Sequence, residues 1–127
     1  METSNKLILI VEDDSALRKV LADRLTEDGF TALEAADGEE GLAIASEKHP
    51  VLILLDIYMP KMDGITMLSK LRSSDSWGKH VAVIVLTNST DAQTIERISS
   101  FEGTEFLVKN EWSLDAIVNR IHERIGS

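Results

Sequence analysis

Val51-Leu52-Ile53-Leu54-Leu55-Asp56 is an unbroken run of five apolar residues that ends on a carboxylate. A run without polar alternation marks a strand buried on both faces, as in a parallel sheet covered by helices. Three other runs repeat the pattern. Residues 7–11 lead into Glu12 and Asp13, residues 81–86 into Thr87, and residues 106–108 into Lys109. As parallel strands of one sheet, these segments bring their polar groups to one edge, outside the carboxyl ends, where open α/β sheets bind ligands.

The intervening sequence supplies the helices. Asp14 or Ser15 can cap a helix whose apolar positions Leu17, Val20, Leu21 and Leu25 have helical spacing and which stops at Gly29. Residues 31–35 form a shorter, weaker strand. Asp37 followed by Glu40 resembles a capping box and opens a helix to about Lys48. His49-Pro50 closes that helix, because the residue before proline is pushed out of the α region. A third helix starts near Asp63-Gly64 and reaches about Arg72. Residues 73–80, rich in Ser, Asp and Gly, read as a loop. Thr90-x-x-Gln93 opens a fourth helix to about Phe101, residues 105–108 form the fifth strand, and residues 113–125 the last helix. Five strands alternating with five helices predict a single doubly wound α/β domain over residues 1–127 with a parallel sheet, and two long central runs with weaker flanks suit the order 2-1-3-4-5.

Composition narrows the function classes. The 127 residues carry a net charge of −9, a field that repels phosphate polymers and argues against nucleic acid as a direct ligand. Cysteine is absent, so there is no disulfide framework and no thiolate metal site, in keeping with a reducing, cytoplasmic setting. No apolar stretch approaches the ~20 residues of a membrane span, and the polar start is not a signal peptide.

The edge itself has a definite chemistry. Adjacent strands lie about 4.8 Å apart, so Glu12, Asp13 and Asp56 crowd one another. Two like charges ~4 Å apart repel by about 4 kcal/mol at an effective dielectric of 20. Lys109 alone cannot neutralise three carboxylates. A hard cation such as Mg²⁺, with Mn²⁺ as a substitute, can, and it takes few carboxylates, several waters and a phosphate oxygen. Asp56 is also a carboxylate nucleophile able to form an acyl phosphate. Lys109 and the Thr87 hydroxyl can then stabilise phosphoryl oxygens. No Walker loop is present, so the phosphoryl group is expected from a small donor or another protein.

At this point the residues resemble a known family. Ile8-Leu9-Ile10-Val11-Glu12-Asp13-Asp14, Leu54-Leu55-Asp56-Ile57-Tyr58-Met59-Pro60-Lys61-Met62-Asp63-Gly64, Leu86-Thr87 and Phe106-Leu107-Val108-Lys109 are similar, block by block, to receiver domains of two-component response regulators. The resemblance implies a flavodoxin-like fold, with the same strand order 2-1-3-4-5, and a phosphorylation switch, not an enzyme. It implies Asp56 as phosphoacceptor, Asp13 as direct Mg²⁺ ligand, Glu12 as an acid acting through water, and the Tyr58 backbone carbonyl as a further ligand. Lys109 would pair with the phosphoryl group, Thr87 would be the switch hydroxyl and Phe106 the switch aromatic. Implied partners are a sensor histidine kinase or histidine phosphotransfer protein and a downstream protein, which would read the surface of the fourth helix, fifth strand and last helix.

The chain departs from that pattern in three places. Asn110 stands where the family usually has proline after the lysine, and Glu111 is an extra residue before Trp112. The Lys109–Asn110 bond is therefore expected to be trans, with Glu111 supplying slack for the ammonium to reach the site. Asn88 follows Thr87 where a very small residue is usual, and Phe106 lacks the hydroxyl of the commoner tyrosine. Two other functions compete. A degenerate receiver would bind partners without phosphorylation, and a Mg²⁺-dependent phosphohydrolase would use the same nucleophile. The haloacid-dehalogenase type of the latter needs an aspartate at the position of Tyr58. Met59, Met62 and Met67 read as packing residues, Trp77 and Trp112 as packing anchors, and His49, His80 and His122 as neither ligands nor catalytic bases.

Overall fold

A computed structural model describes residues 6–74, 76–88 and 91–126. Its strands are β1 (Leu7–Val11), β2 (Thr31–Ala35), β3 (Leu52–Asp56), β4 (Ala82–Thr87) and β5 (Thr104–Val108). They form one parallel sheet in the order β2-β1-β3-β4-β5, as the sequence predicts. The helices are α1 (Ser15–Glu27), α2 (Gly38–Lys48), α3 (Gly64–Arg72), α4 (Ser76–His80), α5 (Ala92–Ser99) and α6 (Leu114–Ile125). Every residue of the central strand β3 is buried, which accounts for its unbroken apolar composition. The edge strand β2 leaves Thr31 and Glu34 exposed, which is why its sequence reads weakly.

Period-two alternation sorts the core into two layers. Leu9, Val11, Ile53, Leu55, Val83 and Val85 pack beneath α2, α3 and α5. Ile8, Ile10, Leu52, Leu54, Ile84 and Leu86 pack beneath α1 and α6.

Helix starts follow the side-chain caps. Asp14, Asp37, Asp63, Asp91 and Ser113 each accept a backbone N–H in the first turn of their helix. Asp14 is thus the cap of α1, and Asp37 accepts from the Glu40 N–H at 2.9 Å. The Glu40 carboxylate reaches back to the Ala36 N–H at 2.8 Å, one residue before the position of a strict capping box.

Two expectations need correction. The segment read as a loop over residues 73–80 contains the short helix α4, which exists because the Trp77 ring packs against the core and outweighs the poor helix propensity of its neighbours. There are accordingly six helices among the described residues, not five. The fourth predicted helix is α5, capped by Asp91; Thr90, expected to open it, lies outside the described residues.

Candidate functional site

Strand register sets the site. Val11 pairs with Leu55, Asp56 with Leu86, Leu86 with Leu107 and Thr87 with Val108. Glu12, one step past Val11, therefore stands level with Asp56. Thr87 lies one residue beyond that row, and Lys109 two. Alternation adds a second constraint. Glu12, Asp56 and Lys109 share the parity of Ile10, Leu54 and Leu107, above the α1 and α6 layer. Thr87 shares the parity of Val85, the pairing partner of Phe106. Thr87 and Phe106 are thus diagonal neighbours on one face of adjacent strands.

The three carboxylates meet. Glu12, Asp13 and Asp56 each offer an oxygen, and these atoms lie within 4.8 Å of one another. Glu12 and Asp56 are buried, whereas Asp13 is exposed, so the cluster opens to solvent on the Asp13 side. The Lys109 ammonium sits 2.8 Å from Glu12 Oε1 and 3.5 Å from Asp56 Oδ1. Among the described residues this is the only cation paired with the cluster.

The electrostatics follow from burial. Desolvation raises the Asp56 carboxyl, and the neighbouring Glu12 charge raises it further. Lys109 and the Ile57 N–H, which donates to Asp56 Oδ1 at 2.8 Å, oppose this without cancelling it, leaving a pKa of about 6. Burial by itself would lower the Lys109 ammonium, but the bond to Glu12 and the charges of Asp56 and Glu12 outweigh it and hold the pKa above its ordinary value.

Local structure fixes these groups. The Glu12 N–H donates to Ala35 at 3.0 Å, and the Asp14 N–H donates to Glu12 Oε2 at 3.1 Å. Arg18 donates to the Glu12 carbonyl at 2.7 Å while its Nε pairs with Glu34 at 3.1 Å. Sequence reasoning missed Arg18; its spacing four residues beyond a helix cap carries no signal of a tie to the acidic turn. After Lys109 the chain forms a 3-10 turn, Lys109–Glu111, with no cis peptide bond, so the extra residue is absorbed locally. Trp112 then packs against the core beneath α6 and anchors the end of that turn. Tyr58 is exposed at 63%, and Asn88 is exposed. Met59 and Met62 pack against the core and Met67 is fully buried, as expected of packing residues.

A buried aspartate at the end of β3, beside two acids that follow β1 and a lysine that follows β5, occurs in the setting that sequence comparison identifies. Residues 8–122 match the response regulator receiver domain. The chain belongs to this receiver family. The receiver is 37% identical to a probable chemotaxis protein CheY of Rhizobium etli, over 80% of this chain and 79% of that one. It is also 37% identical to the probable transcriptional regulator ycf27 of Cyanophora paradoxa, over 86% of this chain but 44% of that protein. The receiver thus spans less than half the length of the transcriptional regulators it matches. A CheY-like receiver domain protein from Methanospirillum hungatei superposes with a TM-score of 0.86 at 25% identity, covering 95% of this chain and 94% of that one. The Vibrio cholerae chemotaxis regulator CheY4 gives 0.84 at 25% identity, over 94% and 98%. The match places the chain among the receiver domains of two-component response regulators. No helix among its described residues is long and apolar enough to cross a membrane.

Proposed function

We propose that Asp56 accepts a phosphoryl group from a phospho-histidine of a sensor kinase or phosphotransfer protein, and that the acyl phosphate alters the surface of α5, β5 and α6 for a downstream partner. One observation carries the reading. A buried carboxylate at the end of the central strand faces an ammonium 3.5 Å away and two further acids within 4.8 Å. An Asp56 Oδ attacks phosphorus as the donor's P–N bond breaks, and the imidazole departs with the electron pair of that bond. The Ile57 N–H orients the nucleophile by its bond to Oδ1. Lys109 exchanges its contact with Asp56 for one with a phosphoryl oxygen, and the buried Thr87 hydroxyl donates to another.

The donor set, all hard oxygens with excess negative charge, fits Mg²⁺. Asp13, Asp56 and the Tyr58 carbonyl would hold the ion, with Glu12 acting through water, and the ion would supply charge neutralisation at the transferring group. When Thr87 moves toward the phosphoryl group, the half-buried Phe106, its diagonal neighbour, turns into the space left behind. The receiver is in this reading a switch, not a catalyst of external turnover.

The test is intact mass after incubation with acetyl phosphate and Mg²⁺. The unaltered protein should gain one phosphoryl group, and Asp56→Asn none. An equal gain in the variant would refute the assignment.

A further inference from the structure

At the opposite edge of the sheet, where the strands begin, lies a cavity of about 580 Å³. It is lined by Lys6, just before β1, Val51, just before β3, Trp77 and His80 of α4, His49, and Arg124 of α6. Strands of five residues separate it from the acidic edge by roughly 17 Å. Its volume falls in the range of small-ligand pockets, roughly 300–1,000 Å³.

Three features give it a chemistry. First, none of the described lining residues is a carboxylate, although the chain carries 22 acids against 13 basic residues. Second, the cations differ in commitment. Arg124 is engaged by Glu105 at 2.6 Å and by the Gly103 carbonyl. The Lys6 ammonium has only a 3.4 Å bond to the Ile125 carbonyl and no ion pair among the described residues. Third, the walls are flat and apolar. The His49 imidazole stacks on the Trp77 indole at 4.2 Å with planes 6° apart, and Val51 is 41% exposed beside them. His49 is held there at φ 49°, ψ 61°, a left-handed conformation that residues with a Cβ rarely adopt. Pro50 follows and stops the helix from continuing.

From the absence of acids among the described lining residues, an ammonium without an ion pair among the described residues, and the stacked wall, we propose that this cavity is a second ligand site, for a small organic anion with a planar apolar body, such as an aromatic carboxylate. The body lies against the Trp77–His49 wall and Val51, and the anionic group pairs with Lys6. The site is independent of the chemistry at Asp56.

A two-dimensional ¹H–¹⁵N titration of the whole chain tests this with 2-naphthoate, its uncharged carboxamide and inorganic phosphate. Naphthoate should shift the amides of Lys6, Val51 and Val81 and the Trp77 indole N–H saturably. The carboxamide, with the same rings, and phosphate, with charge alone, should each bind at least tenfold more weakly. Lys6→Gln should weaken naphthoate at least fivefold. His49→Asn keeps a residue tolerant of the left-handed conformation while removing the ring, and should weaken it at least threefold with the fold retained. Equal binding of naphthoate and carboxamide, equal binding of phosphate, no loss in Lys6→Gln, or shifts centred on Asp13 and Lys109 would each overturn the proposal.

Discussion

Asp56 is held against its own charge. Its folded-state pKa of about 6 lies above that of an exposed aspartate because burial and Glu12 oppose ionisation more than Lys109 assists it. The folded state therefore binds the Asp56 proton more tightly than the unfolded chain does. This contribution to stability is full below about pH 4 and is lost as pH rises through about 6. With divalent cations chelated, Asp56→Asn should stabilise the protein at pH 7.5 by about 2 kcal/mol and by far less at pH 4.5. Urea denaturation at the two pH values measures this, and a gain of the same size at both would contradict it. The ionised form that costs stability at neutral pH is also the nucleophile the proposed chemistry requires. A site that is repulsive when empty favours whatever cation enters it, so Asp56→Asn should also weaken Mg²⁺ binding.

The elements carry the site by close backbone approach. Gly64, the first residue of α3, donates to the Ile57 carbonyl at 2.7 Å, and a Cβ placed on it would stand 2.1 Å from the Asp56 carbonyl oxygen and 2.9 Å from the Ile57 Cα. These obstacles are backbone, so Gly64→Ala cannot be relieved by a rotamer change. It should cost roughly 3 kcal/mol or more by thermal or urea unfolding. A loss under 1 kcal/mol would show that the β3–α3 loop shifts easily. The loop after β5 invites the opposite expectation. Its 3-10 turn already delivers Lys109 to 2.8 Å from Glu12, so replacing Asn110-Glu111 by a single proline should leave phosphorylation by acetyl phosphate within about threefold of the original rate. A tenfold acceleration, with circular dichroism unchanged, would show that the present loop is poorly placed. Much of this was legible in the sequence. The edge acids and the meeting of Asp56 with Lys109 follow from where apolar runs stop, because a period-two chain has little freedom once its faces are buried, whereas the strand order drew on run lengths together with the family resemblance. What escaped was local or long-range. The helix α4 depends on its own Trp77 packing against core residues distant in sequence, and the Arg18 tie to Glu12 depends on side-chain reach that no periodicity encodes. The Trp77–His49 stack joins elements 28 positions apart.

At the scale of the molecule, the two edges of the sheet differ in sign. Acids gather where the strands end, whereas Lys6, His49, His80 and Arg124 gather where they begin. A switch set at the acidic edge should travel along the β4–β5 side. Beryllofluoride with Mg²⁺ should therefore shift the amide signals of Thr87, α5, Phe106 and Trp112 in addition to those around Asp13 and Asp56. Shifts confined to the latter would show that no such surface responds. The sheet order also bears on how the protein is made. β1 lies between β2 and β3, and each later strand joins the outer edge of the one synthesised before it. A nascent chain emerging from the ribosome can thus assemble its first three strands while the rest is still being translated. Its acidic residues would then be in place before the lysine that partly neutralises them, which follows β5, has been added. Until Lys109 emerges, those carboxylates lack the ammonium that pairs with Glu12 and Asp56.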